Sequence, residues 1–208
     1  LASTHSVALR RLYWLYRPFE QAVLERAVRV IVSSPPYLAS SEPLEAYREK
    51  SAVVPLGITD LSTGSGGESE SSSGKAQPAH FRASPAAGGL LSVLCVGRLT
   101  YYKGVRFLIE AVASLDGVAL TIVGDGDEAL KLRALTDRLG AEDRILFAGG
   151  LTDEALQDEL ARSDCLCLPS VERTESFGVV LLEAMRAGKA AVATTVPGSG
   201  MGWIVEDS

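Results

Sequence analysis

From residue 90 onward the chain alternates short apolar runs with longer stretches in which apolar positions recur every three or four residues. The runs 90–97, 118–123, 144–148, 164–168 and 189–195 read as buried strands. The periodic stretches 105–115, 128–139, 153–162 and 178–187 read as helices, with Thr152 as the N-cap of the third. A strand, a helix and another strand in succession require a crossover. The pattern therefore predicts an α/β domain over 90–208, a doubly wound, Rossmann-like parallel sheet with helices on both faces.

Residues 1–58 follow a different plan. A basic helical stretch over 6–29 precedes a short strand at 30–33, a break at Pro35-Pro36, a helix over 44–50 and a strand at 52–54. That is too little to close a sheet of its own. Residues 59–89 separate the two parts, and from Leu61 to Gly89 the chain is rich in Ser, Gly, Ala and Pro and poor in apolar residues, the composition of a flexible linker or insertion. No chemistry is assigned to it, and no internal repeat is visible.

The chain has 208 residues, 47% of them apolar, enough for one good core and part of a second. A net charge of −6 gives no electrostatic hold on nucleic acid. No apolar run reaches the roughly eighteen residues that span a bilayer, and the first residues lack a basic-then-apolar leader. The expectation is a cytoplasmic protein. Cys95, Cys165 and Cys167 sit in strand-like apolar runs and are odd in number, so they read as core fillers and not as a disulfide framework or a ligand set.

The chemistry concentrates between Pro169 and Met185, where Glu175 and Glu183 bracket a glycine-opened helix start directly after a buried strand. Read as helix, their separation advances about 12 Å, so the two carboxylates reach separated groups of one elongated ligand, such as a sugar hydroxyl and a ribose. Between them, free N–H groups near Phe177, Gly178 and Val179 make an anion site suited to a diphosphate. Arg98 and Lys103 follow the strand at 90–97, at the carboxyl end where open α/β sheets bind ligands. An arginine fork and a lysine point charge together suit a leaving nucleoside diphosphate without a metal. Alone they would be two exposed loop cations; convergence with the 175–183 segment favours the phosphate reading.

Three other features carry less. Gly124-Asp125-Gly126-Asp127-Glu128-Ala129 has the spacing of a dinucleotide fingerprint, but the next strand ends in Ala148-Gly149-Gly150 without the acidic residue that NAD binding calls for. Asp125 and Asp127 also imitate an Asp-any-Asp metal clamp, against which a tight turn with solvated aspartates is the preferred reading. Tyr13, Trp14, Tyr16 and Phe19, interleaved with Arg10, Arg11 and Arg17, suggest a helix packed on the rest of its domain or a face touching anionic lipid; the small basic excess favours packing. His5 by itself is a polar residue near the start of the chain.

Val96-Gly97-Arg98-Leu99, Lys103-Gly104, Val123-Gly124-Asp125-Gly126, Pro169-Ser170, Glu175-Ser176-Phe177-Gly178 and Glu183-Ala184-Met185 together resemble glycosyltransferase family 4, as do Ile31 to Pro35, Tyr47 to Lys50 and Val54 to Ile58. The resemblance implies the GT-B architecture, two Rossmann-like domains facing across a cleft, with 90–208 as the donor domain and only the tail of the first, acceptor-side domain in 1–58. By position it implies that Arg98, Lys103, Gly178 and Val179 hold the donor diphosphate and that Glu183 holds the ribose. Glu175 and His5 would be the catalytic residues, Glu175 at the donor sugar's hydroxyls and His5 in a first-domain loop near the transferred sugar. It further implies a retaining hexosyl transfer from a nucleoside diphosphate sugar to a glycan or lipid-linked acceptor, by front-face displacement, with no metal and no other cofactor; peripheral contact at the inner face of a membrane is the alternative that the aromatic and basic stretch over 10–19 leaves open. The early glycine-rich loop and the closing helices of the family are absent, the 61–89 insertion is long, and Ala190 replaces the usual Pro after Gly188-Lys189. A fragment is therefore expected, with a non-catalytic nucleotide-sugar-binding module or a GT-B epimerase or phosphorylase as the alternatives.

Overall fold

A computed structural model describes residues 7–58 and 89–206, with side chains from residue 14 onward. His5 and nearly all of the 59–89 segment lie outside the described residues. The amino-terminal part comprises α1 (Val7–Arg26), β1 (Val30–Val32), α2 (Pro35–Ser40), a 3-10 segment (Glu42–Lys50) and β2 (Ser51–Val53). The second part runs β3 (Leu91–Val96), a 3-10 turn (Tyr101–Lys103), α3 (Val105–Ser114), β4 (Val118–Val123), α4 (Ala129–Leu139), β5 (Ile145–Gly149), α5 (Asp153–Arg162), β6 (Cys165–Leu168), α6 (Val179–Arg186), β7 (Ala190–Ala193) and α7 (Met201–Ile204). Every expected strand and helix of the second part is present, with bounds that agree within about two residues.

The five strands of this part form one wholly parallel sheet in the order β5-β4-β3-β6-β7. Alternation along each strand splits its residues between two cores. Val93 and Cys95 of β3, with Leu120 and Ile122 of β4, pack under Val105, Ile109 and Val112 of α3 and Leu132 and Leu135 of α4. Leu94, Val123, Leu166 and Leu168 point to the other face, against Leu160 of α5, Leu181 and Ala184 of α6 and Met201 of α7. Thr152 caps α5 as expected, accepting from the Ala155 N–H at 3.3 Å. Arg144 closes the other end of α3, its guanidinium donating to the carbonyls of Val112, Ala113 and Leu115 at 3.3, 3.2 and 2.5 Å.

The cysteines are free thiols within the sheet. Burial, with Cys167 alongside, pushes the Cys95 thiol up to about 12, and burial pushes Cys167 up to about 11. The neutral thiol is therefore the folded form, whereas the unfolded chain releases this proton near the ordinary value of 9.0. Above that pH the unfolded state binds fewer protons, so stability is present below it and is lost as pH rises toward 12. Urea unfolding at about pH 8 and about pH 10 is expected to show a loss of stability of which about 1.4 kcal/mol in total comes from Cys95 and is removed by Cys95→Val, the share of Cys167 remaining. An equal loss in the variant would show that Cys95 is not its source.

Two expectations for the amino-terminal part need correction. Pro35 and Pro36 do not break the chain but open α2, since a proline in the first turn has no helical N–H to lose; Ser34 caps the turn by accepting from the Tyr37 N–H at 3.4 Å. The helix expected at 44–50 is a 3-10 segment. β1 and β2 pair in parallel as a two-stranded sheet. Lys50 caps α1 by donating to the carbonyls of Glu25 and Ala27, both at 3.0 Å. Trp14 and Phe19 on α1 are 73% and 71% exposed, so its aromatic face is not covered by the described residues. No helix among the described residues is long and apolar enough to cross a membrane.

Candidate functional site

Strand order reverses between β3 and β6: one leads into a helix on the first face and the other into a helix on the second. Their loops therefore part at the carboxyl edge and leave a crevice, the place where open α/β sheets take their ligands. The loops are pinned together at its base. The Val171 N–H donates to the Tyr102 carbonyl at 2.8 Å. Gly104, at φ 66°, comes so close to the Pro169 carbonyl that a side chain there would collide with it. The turn after β4 locks on from the side, with the Leu99 N–H donating to the Asp125 carbonyl at 2.9 Å and the Glu128 N–H to the Leu99 carbonyl at 3.0 Å.

A cleft of about 310 Å³ opens between these loops, lined by Gly97, Lys103, Glu175, Phe177, Gly178, Val179 and Glu183, with Leu56 contributed by the amino-terminal part. Lys103 and Glu175 form a close ion pair in it, their side chains only 15% and 14% exposed. Room for the lysine comes from Gly97, where a Cβ would stand 3.2 Å from the ammonium nitrogen. Glu183 is half-buried on α6, one turn beyond Val179, so the two share a helix face. The first N–H groups of α6, at Val179 and Val180, have no intrahelical acceptor and belong to residues that line the cleft.

The expected helix between the two carboxylates is shorter than the spacing suggested. Glu175 lies in a turn, its N–H donating to the Glu172 carbonyl at 3.1 Å. The helix begins only at Val179, after Gly178 reverses the backbone at φ 84°, where a Cβ would crowd Leu168, Leu181 and Met201. Both carboxylates still reach the one cleft, by a loop and a helix rather than by a single helix face. Of the expected site residues, Lys103, Glu175, Gly178, Val179 and Glu183 come together. Arg98 is exposed and stands one residue beyond the Gly97 lining, without lining the cleft itself.

Two contributors were not anticipated. Leu56 is one, an apolar residue in a segment the pattern left unassigned. The other is the turn after β7, where the Ser199 hydroxyl donates to the Glu175 carbonyl at 2.5 Å and the Gly200 N–H to the Ser176 carbonyl at 2.8 Å. The run Gly198-Ser199-Gly200 is a turn signal in the sequence, but nothing in it names the loop it grips. Phe177 anchors that loop from below, buried with its ring 6.4 Å from that of Trp203. Asp125 serves its own turn, accepting from the Gly126 N–H at 2.8 Å. Among the described residues no group of three or more His, Cys, Asp or Glu side chains is placed to hold a metal ion.

Residues 76–202 match the family described as Glycosyl transferases group 1. The chain is 30% identical over 203 residues to the O-antigen chain mannosyltransferase C of Escherichia coli, covering 97% of this chain and 50% of that protein. It is 31% identical over 207 residues to the D-rhamnosyltransferase WbpZ of Pseudomonas aeruginosa, covering 96% of this chain and 50% of that one. The chain thus spans about half the length of the curated relatives it matches. Among solved structures, HepE of Anabaena in complex with UDP and glucose matches with a TM-score of 0.66 at 25% identity, over 92% of this chain and 50% of that one. The architecture is that of the GT-B glycosyltransferases. With 76–202 making up more than half of its length, the chain belongs to the glycosyl transferases group 1 family.

Proposed function

We propose that this chain carries the donor site of a retaining glycosyltransferase of family 4, which moves a hexose from a nucleoside diphosphate sugar to a glycan or lipid-linked acceptor and needs no metal. In this reading 90–208 is the donor domain and 1–58 belongs to the acceptor-side domain. The observation that carries it is the convergence of Lys103, Glu175, the first turn of α6 and Glu183 on one cleft at the point where strand order reverses. The mannosyl and rhamnosyl transfers named for the relatives, the O-antigen chain of one of them, and the UDP and glucose named for HepE support the same class of donor and acceptor.

The residues divide the work by chemistry. Glu183 takes the ribose hydroxyls, since a carboxylate accepts two hydrogen bonds side by side. The free N–H groups at the start of α6 and the Lys103 ammonium take the diphosphate, with Arg98 closing on it from the rim. Glu175 meets the hydroxyls of the transferred sugar, and His5 approaches that sugar from the acceptor side. As the glycosidic bond breaks, charge grows on the leaving phosphate oxygen, which accepts the proton of the incoming hydroxyl on the same face. The cation and the helix start stabilise that charge most when it is fully developed.

Calorimetric titration with UDP and GDP tests the site. One of them is expected to bind, and Glu183→Ala is expected to weaken that binding by about 10- to 100-fold, the worth of hydrogen bonds to a charged group. If neither nucleotide binds, or if Glu183→Ala leaves the affinity unchanged, the donor-site reading falls. The anomeric configuration of the product, read by NMR, tests retention separately.

A further inference from the structure

The loop that carries Glu175 is also gripped by the amino-terminal part of the chain. Arg173, two residues before Glu175, reaches α2 across 133 positions of sequence: its Nη1 donates to the Ser40 carbonyl at 3.0 Å. Its guanidinium carbon stands 5.1 Å from the centre of the Tyr37 ring. One planar group thus makes a hydrogen bond to a helix-end carbonyl and a cation–π contact on the same helix, a combination that a lysine ammonium matches poorly.

The contact closes a ring. The turn after β7 packs on α2, since a Cβ at Gly198 would strike the Ser40 side chain and one at Gly200 would come within 2.8 Å of the Ser34 hydroxyl. The same turn holds the Glu175 loop through Ser199 and Gly200. The loop has no helix or strand of its own between β6 and α6, so these external contacts decide where Glu175 stands. Its backbone is tied at the start to Tyr102 and at the end to the β7 turn. Arg173 joins its middle to α2.

The geometry points to Arg173 as a positioning residue for Glu175: by clamping α2 to the loop, it sets the carboxylate against the donor's sugar, so α2 takes part in sugar recognition without touching the donor. This rests on the donor site proposed above. The nucleotide is held by Lys103, α6 and Glu183, and the sugar by Glu175, so loss of the clamp removes contacts from the sugar half of the ligand.

The test compares, by calorimetry, the affinities of a free nucleoside diphosphate and of its sugar conjugate, UDP with UDP-glucose and GDP with GDP-mannose. Arg173→Ala is expected to weaken the free nucleotide by no more than about twofold and to weaken the conjugate about tenfold. Tyr37→Ala should do the same and Tyr37→Phe should not, because the phenylalanine ring keeps the face that the guanidinium covers. The Arg173→Ala, Tyr37→Ala double variant should be no worse than either single one, as for two halves of one contact. Equal weakening of both ligands, no weakening of the conjugate, or full additivity would each overturn the assignment. If the wild type binds neither nucleotide, the donor site itself fails and takes the clamp with it. If it binds both and Glu175→Gln weakens the conjugate while Arg173→Ala does not, only the clamp fails.

Discussion

Replacing Lys103 with methionine is expected to weaken binding of a free nucleoside diphosphate by about 100-fold, near 2.7 kcal/mol, within the range for a hydrogen bond to a charged group. Two effects add. Among the described residues the ammonium is the one cation that lines the cleft, and its low exposure keeps solvent from screening it as it would a surface lysine. Its removal also leaves Glu175, equally shielded, as an unpaired anion beside the place assigned to the phosphates. That orphaned carboxylate has a second consequence, a loss of folding stability of about 1–3 kcal/mol. Urea unfolding and calorimetry on the same samples separate the two. Adding Glu175→Gln to Lys103→Met should restore stability, because the buried charge is gone, and should leave binding weak, because the cation is still missing. If Lys103→Met alone binds within about threefold of the wild type, Lys103 has no part in holding the phosphates.

The sheet was legible because parallel strands buried on both faces must be apolar at almost every position, as 118–123 is, and because helix periodicity switches cleanly on either side of each. Position relative to a strand end was legible as well, and it brought Lys103 and the 175–183 segment to one edge. Side-chain direction was not. Arg98 stands closer to the end of β3 than Lys103, which closes the next turn, yet it stays outside the lining, since distance along the chain does not say where a side chain turns. The spacing of Glu175 and Glu183 fits a helix, but the αL backbone at Gly178 stops it four residues short of Glu175, a choice made by Leu168, Leu181 and Met201 closing around that glycine. The pairing of Lys103 with Glu175 across 72 positions, and of Arg173 with Ser40 across 133, depends on the fold being closed first. No local pattern encodes such contacts. Pro35-Pro36 misled for a simpler reason: a proline weakens a helix from within but starts one readily from its first turn.

Glu175→Gln is expected to split the two halves of the donor: transfer of the sugar, or its slow hydrolysis from the nucleotide, falls about 100-fold, while the affinity for free nucleoside diphosphate rises about threefold to tenfold. The reason lies in the ion pair within the cleft. Lys103 is already satisfied by Glu175, so a diphosphate can win the ammonium only by breaking that pair. Both partners are nearly out of solvent, where an ion pair is strong once its desolvation has been met, and the competition is correspondingly costly. The glutamine amide keeps the shape and a hydrogen-bonding oxygen but gives up the charge, which frees the lysine for the phosphates and removes an anion from their path. The sugar loses in the same exchange, because a carboxylate accepts from hydroxyls at both of its oxygens, whereas an amide accepts only at its single oxygen and its NH2 group can only donate. Titration of wild type and variant with UDP and GDP, alongside turnover of the matching nucleotide sugar, reads both effects. A variant that loses nucleotide affinity together with turnover would mean that Glu175 supports the phosphate site instead of competing for its cation. In that case the ion pair would help to build the phosphate site rather than compete with it.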